Sequence, residues 1–222
     1  MKTSGIKLMA VGFATVFLSA CSSVVAPPTT FGLRHFVASS GGDADFRPLW
    51  IDNTKDFQAK HQDRMYFVGI ATKERDYTLA RSNAYADALK NMARGIKATV
   101  HDLYTSASTE DKSSASDYSQ DTERAIEDGT LQTALGVITG AEVDQYYWRK
   151  YWVQPDAGAP VIYYRNVYAL VSLSKADYEK TVYQTLSAKE KRVQDPRARQ
   201  VIREMKNRWL TKPAASGGTG GN

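Results

Sequence analysis

Apolar residues recur along this chain with two different periods. The run "MYFVGIAT", residues 65 to 72, is β-branched and aromatic and reads as a buried strand. From Leu79 the spacing changes. Tyr85, Leu89, Met92, Ile96, Val100 and Leu103 recur at steps of three or four, one apolar face of a helix of about seven turns. Ala80, Ala84 and Ala88 form a small-residue row beside that face, which lets a helix backbone approach a sheet closely. Gly95 weakens the middle of the helix by about 1 kcal/mol relative to Ala. A polar, Ser-rich stretch at residues 105 to 121 reads as a loop or a frayed extension of the helix. "TERAIEDGTLQTALGVI" follows with weaker helical spacing, interrupted at Gly129.

The next block alternates. "EVDQYYWRKYWV", from Glu142 to Val153, and "VIYYRNVYALVSL", from Val161 to Leu173, flank "QPDAGAP", whose Pro and Gly predict a turn. The two runs pair as a long antiparallel hairpin. In the second run Val161, Tyr163, Val167, Ala169, Val171 and Leu173 share the better core face. Ser174 and Asp177 then form an N-terminal cap for one helix. Asp195 and Pro196 open another, carrying Val201, Met205 and Trp209 at steps of four.

The ends of the chain have a different character. Lys2 and Lys7 precede an apolar core from Leu8 to Phe17, and small residues Ser19 and Ala20 come before Cys21. Basic start, short apolar core and small residues describe a secretory signal over residues 1–20. A core of about ten residues is too short to span about 30 Å of hydrocarbon. Residues 21–45 are rich in Ser, Thr, Pro and Gly and read as a tether. The domain proper is expected over residues 46–211, opening on "PLWI" after Arg47. The tail, residues 212–222, is expected to be disordered.

Cys21 is the one cysteine of 222 residues. "LSAC" resembles the lipobox of bacterial lipoproteins. That resemblance implies a diacylglyceryl thioether on Cys21, cleavage before it, and acylation of the new amino terminus. Ser22, rather than Asp, implies sorting to the outer membrane. With its sulfur so used, no thiol remains for a disulfide, a metal or a nucleophile.

Taken together, "PLWI", "YFVGIA", "ARSNAYADALKNMARGIKATV" and a hairpin ending "YALVSLSKADYEK" resemble the LPP20-like lipoprotein domain over about residues 48 to 185. A related domain forms the amino-terminal part of a flagellar basal-body ring protein. The resemblance implies an α+β fold: a long helix packed on a small antiparallel sheet that contains the aromatic-rich hairpin, with additional C-terminal helices. It implies an envelope protein with no assigned chemistry and brings no catalytic residues.

The net charge is +5, of which Lys2 and Lys7 supply two units. So mild an excess reads as a mixed solvated surface, and nucleic acid is not expected as a partner. His35, His61 and His101 are not spaced as metal ligands, and no phosphate-binding or nucleophile motif occurs. No catalytic residue, metal or cofactor is therefore expected.

What stands out is aromatic density. Alternation puts Tyr147 and Tyr151 on one face of the hairpin and Tyr146, Trp148 and Trp152 on the other. One face covers the helix. The other is either covered by a further element or is an exposed aromatic strip flanked by Arg149 and Lys150. Such a strip suits a protein partner in the cell envelope, and equally stacking on the sugars of peptidoglycan. The expected role is a non-enzymatic, lipid-anchored outer-membrane protein on the periplasmic face, an accessory or structural part of a flagellar or secretion assembly. Surface exposure and a glycan-binding module are the alternatives.

Overall fold

The computed structural model describes residues 31–110 and 119–211. Cys21, the signal segment, residues 22–30, residues 111–118 and the tail 212–222 lie outside the described residues. The protein is α+β, with helices packed on a four-stranded antiparallel sheet. In chain order the elements are β1 (His35–Ser39), α1 (Leu49–Asp52), α2 (Thr54–Lys60), β2 (Arg64–Glu74), α3 (Tyr77–Glu110), α4 (Gln120–Glu127), α5 (Thr130–Val137), β3 (Glu142–Val153), β4 (Ile162–Ser174), α6 (Lys175–Arg192) and α7 (Pro196–Thr211). The strand order is β1-β3-β4-β2, with the hairpin at the centre.

β4 is buried along most of its length because both its neighbours and both its faces are occupied. Its odd residues Val167, Ala169, Val171 and Leu173 are fully enclosed beneath the helices, as their alternation predicts, whereas Val161 and Tyr163, expected on the same core face, stand exposed at the hairpin-turn end. Met65, Phe67, Gly69 and Ala71 of β2 lie opposite them in register. α3 crosses this surface. Its buried spine is Ala80, Ala84, Ala88, Met92, Ile96, Val100 and Tyr104, spaced four apart. The small-residue row is thus the inner face at the start of the helix, and Tyr85 and Leu89 are only half-buried beside it. A side chain at Gly69 explains why. Its Cβ would sit 2.0 Å from the carbonyl oxygen of Ala84 and 2.2 Å from the nitrogen of Ala88. Helix and strand backbones touch here, and only glycine facing alanine permits it. Gly95 faces Phe67, whose ring would lie 3.1 Å from an added Cβ.

Helix boundaries follow their caps. Asp76 accepts from the N–H of Leu79, Ser119 from that of Thr122, and Ser174 from that of Asp177. Gly129 takes φ +65° and splits the weakly periodic segment into α4 and α5. α3 runs on to Glu110, so the start of the Ser-rich stretch is helical.

The supposed tether is where the structure departs most from the linear reading. His35–Ser39 is a strand, paired antiparallel to β3 with a bulge between Phe36 and Ala38. Five residues among Ser and Gly are too few for a visible alternation. The strand exists because β3 offers an unpaired edge. Residues 46–57 then fold over the sheet face away from α3. Trp50 is 2% exposed and packs with Tyr147, Tyr168 and Leu170, and its Nε1 donates to Gln145.

The opposite edge, β2, is closed by side chains. Gln58 accepts from the N–H of Tyr66 and donates to the carbonyl of Arg64. Asn91 donates to the carbonyl of Val68, and Asp87 accepts from the N–H of Ile70. Outward backbone groups that would template another strand are thereby occupied.

α6 and α7 are joined by Glu190, which receives Arg203 Nε at 2.7 Å and Lys206 Nζ at 2.9 Å. These hydrogen bonds hold its carboxyl below the usual range. The folded chain therefore gives up this proton more readily than the unfolded one. The stabilisation is complete above the ordinary value of 4.5 and fades as pH falls through the lowered folded value. Glu190→Gln should cost about 1 kcal/mol near neutral pH, and the difference should vanish at a pH of about 2, in urea titrations of both forms. Gly69→Ala should cost about 3 kcal/mol, because backbone has to move. Gly129→Ala, whose Cβ meets open space but whose φ is left-handed, should cost only about 1 kcal/mol by the same titration.

Candidate functional site

Strand alternation and the position of α3 together create a half-covered surface. α3 lies over β2 and β4 and leaves the β3–β1 half of the same face partly open. Tyr146, Trp148, Lys150 and Trp152 of β3 line that half, each half-buried. Tyr146 and Trp148 still pack against the main core, and the Arg81 guanidinium lies 4.3 Å from the centroid of the Tyr146 ring. Further along, His35 of β1 stacks on Trp152, with centroids 4.1 Å apart and planes 13° off parallel. Lys150 Nζ sits 4.8 Å from the centroid of the Tyr163 ring, and Tyr163 is 51% exposed.

Tyr147 and Tyr151 occupy the other face and are 2% and 8% exposed. The Tyr147 hydroxyl donates to the carbonyl of Phe46 at 2.6 Å, and the ring lies beside Tyr168. The face that reads as a bare strip is therefore the one on the helix side, at its edge. The opposite face is closed by the amino-terminal segment. Arg149, expected to flank the strip, is not part of it. Alternation sends it to the Tyr151 side, where its guanidinium donates to the carbonyl of Ala44 and lies 5.2 Å from the Phe36 ring. The structure thus groups Tyr146, Trp148, Lys150 and Trp152 and separates Arg149 from them. His35, Tyr163 and Arg165 join the surface. The alternation of β4 was readable, but its cross-strand partners were not, and His35 fell in the segment read as tether.

Two polar clusters lie elsewhere. His101 of α3 meets Glu123 and Glu127 of α4, with Nδ1 2.7 Å from Glu127 and 3.6 Å from Glu123. Lys97 Nζ is 3.3 Å from the second oxygen of Glu127. Burial pushes the Glu127 carboxyl up, and the hydrogen bonds from Lys97 and His101 outweigh it, leaving it below the usual range. His101, Glu123 and Glu127, each offering one ligand atom and all within 4.8 Å of one another, are the group among the described residues that could hold a metal ion. Linear spacing hid the group because its members come from two helices.

The second cluster lines a cleft of about 400 Å³ between the α4–α5 and α6–α7 turns. Lys189, 6% exposed, points into it. Its ammonium donates to the carbonyls of Ala125 and Asp128, capping the end of α4. Burial holds its pKa below the ordinary lysine range, with the charge of Asp128 opposing. Arg192 beside it donates to the Thr133 hydroxyl. The cations of this cleft are occupied by structure.

Among the described residues no helix is long and apolar enough to cross a membrane. Compared with models of known protein families, with curated proteins and with solved structures, the chain matches none.

The two faces of the hairpin should answer differently to truncation. Tyr147→Ala removes an enclosed ring and a hydrogen bond and should lower stability by about 3–5 kcal/mol. Trp152→Ala, at the open margin, should lower it by about 1 kcal/mol. Denaturant midpoints of the two variants check this ordering.

Proposed function

We propose that this protein is a non-enzymatic lipoprotein of the bacterial outer membrane, anchored through Cys21. It presents its α+β domain to the periplasm as an accessory or structural part of an envelope assembly, flagellar or secretory. One observation carries the reading: the small-small-Cys sequence "LSAC" directly after a short apolar core. Three acyl chains on that residue make a stable anchor, since each buried CH₂ contributes about 0.8 kcal/mol and two chains already hold. The resemblance to LPP20-like domains supports the same placement.

The partner surface in this reading is the half-open strip of Tyr146, Trp148, Lys150 and Trp152. Half-buried aromatic rings beside cations are what protein interfaces enrich. The strip also has the chemistry to stack on sugars, which makes a peptidoglycan-binding module the second reading, favoured by Trp148 and Trp152 lying on one strand face with Lys150 between them.

Mass spectrometry of the mature chain should find Cys21 as the first residue, carrying the acyl groups. Cross-linking and capture from detergent-solubilised membranes at native abundance should retain a protein partner, and Trp148→Ala with Trp152→Ala should reduce its recovery several-fold. A monomeric, partnerless protein at native abundance would end the assembly reading. Co-sedimentation with purified sacculi, lost in the same double variant, would put the glycan reading in its place.

A further inference from the structure

We propose that the distal end of the strip is a contact surface for the bilayer itself, in which Lys150 and Arg165 take the phosphate of an anionic lipid headgroup. The proposal rests on the anchored reading above and assigns the outer half of the strip to lipid, leaving Tyr146 and Trp148 for a protein.

Chain length makes the first argument. The described chain begins at Phe31, ten residues after Cys21. Ten residues span at most about 35 Å even when fully extended. Gly32 donates its N–H to the carbonyl of Gln154, so this entering segment runs beside the tip of the β3–β4 hairpin. Whatever stands at the tip stays near the anchor point.

What stands there is apolar and uncovered. Phe31 is 48% exposed, Leu33 57%, Val161 41% and Tyr163 51%. Single exposed apolar residues are ordinary on a soluble surface. Four at the end where the anchor arrives, with Trp152 opposite Tyr163 in register, are a concentration. Tyr and Trp are the side chains that favour the boundary between headgroups and hydrocarbon.

Charge makes the second, independent argument. Lys150 and Arg165 are direct cross-strand partners on one face of the sheet. Like charges so placed repel. Neither stands in an ion pair among the described residues. Lys150 turns to the Tyr163 ring, and Arg165 to the Tyr77 ring and the carbonyl of Arg75. Of the acidic groups at this end, Glu74 of β2 stands opposite Arg165 in register, with its carboxylate taken by the Asn83 amide; Asp76 caps α3, and Asp156 is in the hairpin turn. Two adjoining cations outside any ion pair, rimmed by exposed aromatic and aliphatic groups, fit a headgroup phosphate with acyl chain below it. Tethering removes the need for high affinity, because the anchor holds the local lipid concentration high.

The test uses the full acylated chain in vesicles. Cys21 has its sulfur in the thioether, so a cysteine introduced at Val161 is a unique thiol for a spin label, and one at Leu210, 66% exposed on α7, is the control. In vesicles containing phosphatidylglycerol the Val161→Cys label should be shielded from an aqueous nickel chelate at least about threefold relative to the Leu210→Cys label. In phosphatidylcholine alone, or in Lys150→Ala with Arg165→Ala, the shielding should be lost. The double variant should keep the parent's melting midpoint, because it removes a repulsion. An acylated chain whose Val161 label stays as accessible as the control overturns the contact and leaves the anchor standing. Shielding unchanged in the double variant overturns the headgroup assignment. Release by about 10 mM inorganic phosphate at constant ionic strength would overturn it too, in favour of a small-anion site. Mass spectrometry of the same preparation reads the anchor, and an unmodified Cys21 removes both.

Discussion

The arrangement of this molecule depends on one close approach, the backbone of β2 at Gly69 against the backbone of α3 at Ala84 and Ala88. No side chain separates the two elements there. The contact fixes where the helix can lie: along β2 and β4, at one side of the sheet, rather than across its middle. Met92, Ile96 and Val100 then fall over Phe67 and the inner residues of β4, and each buried aliphatic side chain contributes about 1.5–3 kcal/mol. Because the helix is drawn to the β2 side, the β1–β3 side of the same face is left half-covered. The surface with the most distinctive chemistry is thus a by-product of a packing constraint at the other edge.

The two edges of the sheet are treated differently for related reasons. β2 runs beside α3 and α2, whose polar side chains reach its outward backbone groups. Gln58, Asp87 and Asn91 complete the hydrogen bonding that a further strand would otherwise supply. β3 has no such helix beside it, and its edge is completed by chain. The short strand His35–Ser39 serves as that cover, bulged at Val37 and only five residues long, which limits its use as a template. A segment that reads as tether in the sequence is therefore part of the fold.

The polar clusters show how burial decides what a charged group can do. Lys189 is enclosed, yet its ammonium caps carbonyls of α4, so enclosure there joins two helical turns. Glu190, one residue on, binds α6 to α7 through Arg203 and Lys206. Lys150 and Arg165 differ in that neither stands in an ion pair among the described residues, although Glu74 lies opposite Arg165 in register. Lys189 and Glu190 are held by charge-assisted hydrogen bonds within the fold, whereas the pair at the hairpin margin rests on aromatic rings and one backbone carbonyl.

Periodicity and local chemistry by themselves determined the long helix, the hairpin and its turn, the caps at Ser174 and Asp195, the break at Gly129 and the core face of β4. Each of these is written in residues a few positions apart, where helix pitch, strand pleat and capping hydrogen bonds act. The two-faced distribution of Tyr147 and Tyr151 against Tyr146, Trp148 and Trp152 was legible for the same reason. Only the tertiary structure decided which of those faces is closed, that Arg149 belongs to the closed one, that His35 begins a strand, and that His101 meets two glutamates. All of these depend on residues tens of positions apart being brought together, and strand pairing and helix docking leave no short-range signature when the segments are as brief as residues 35–39.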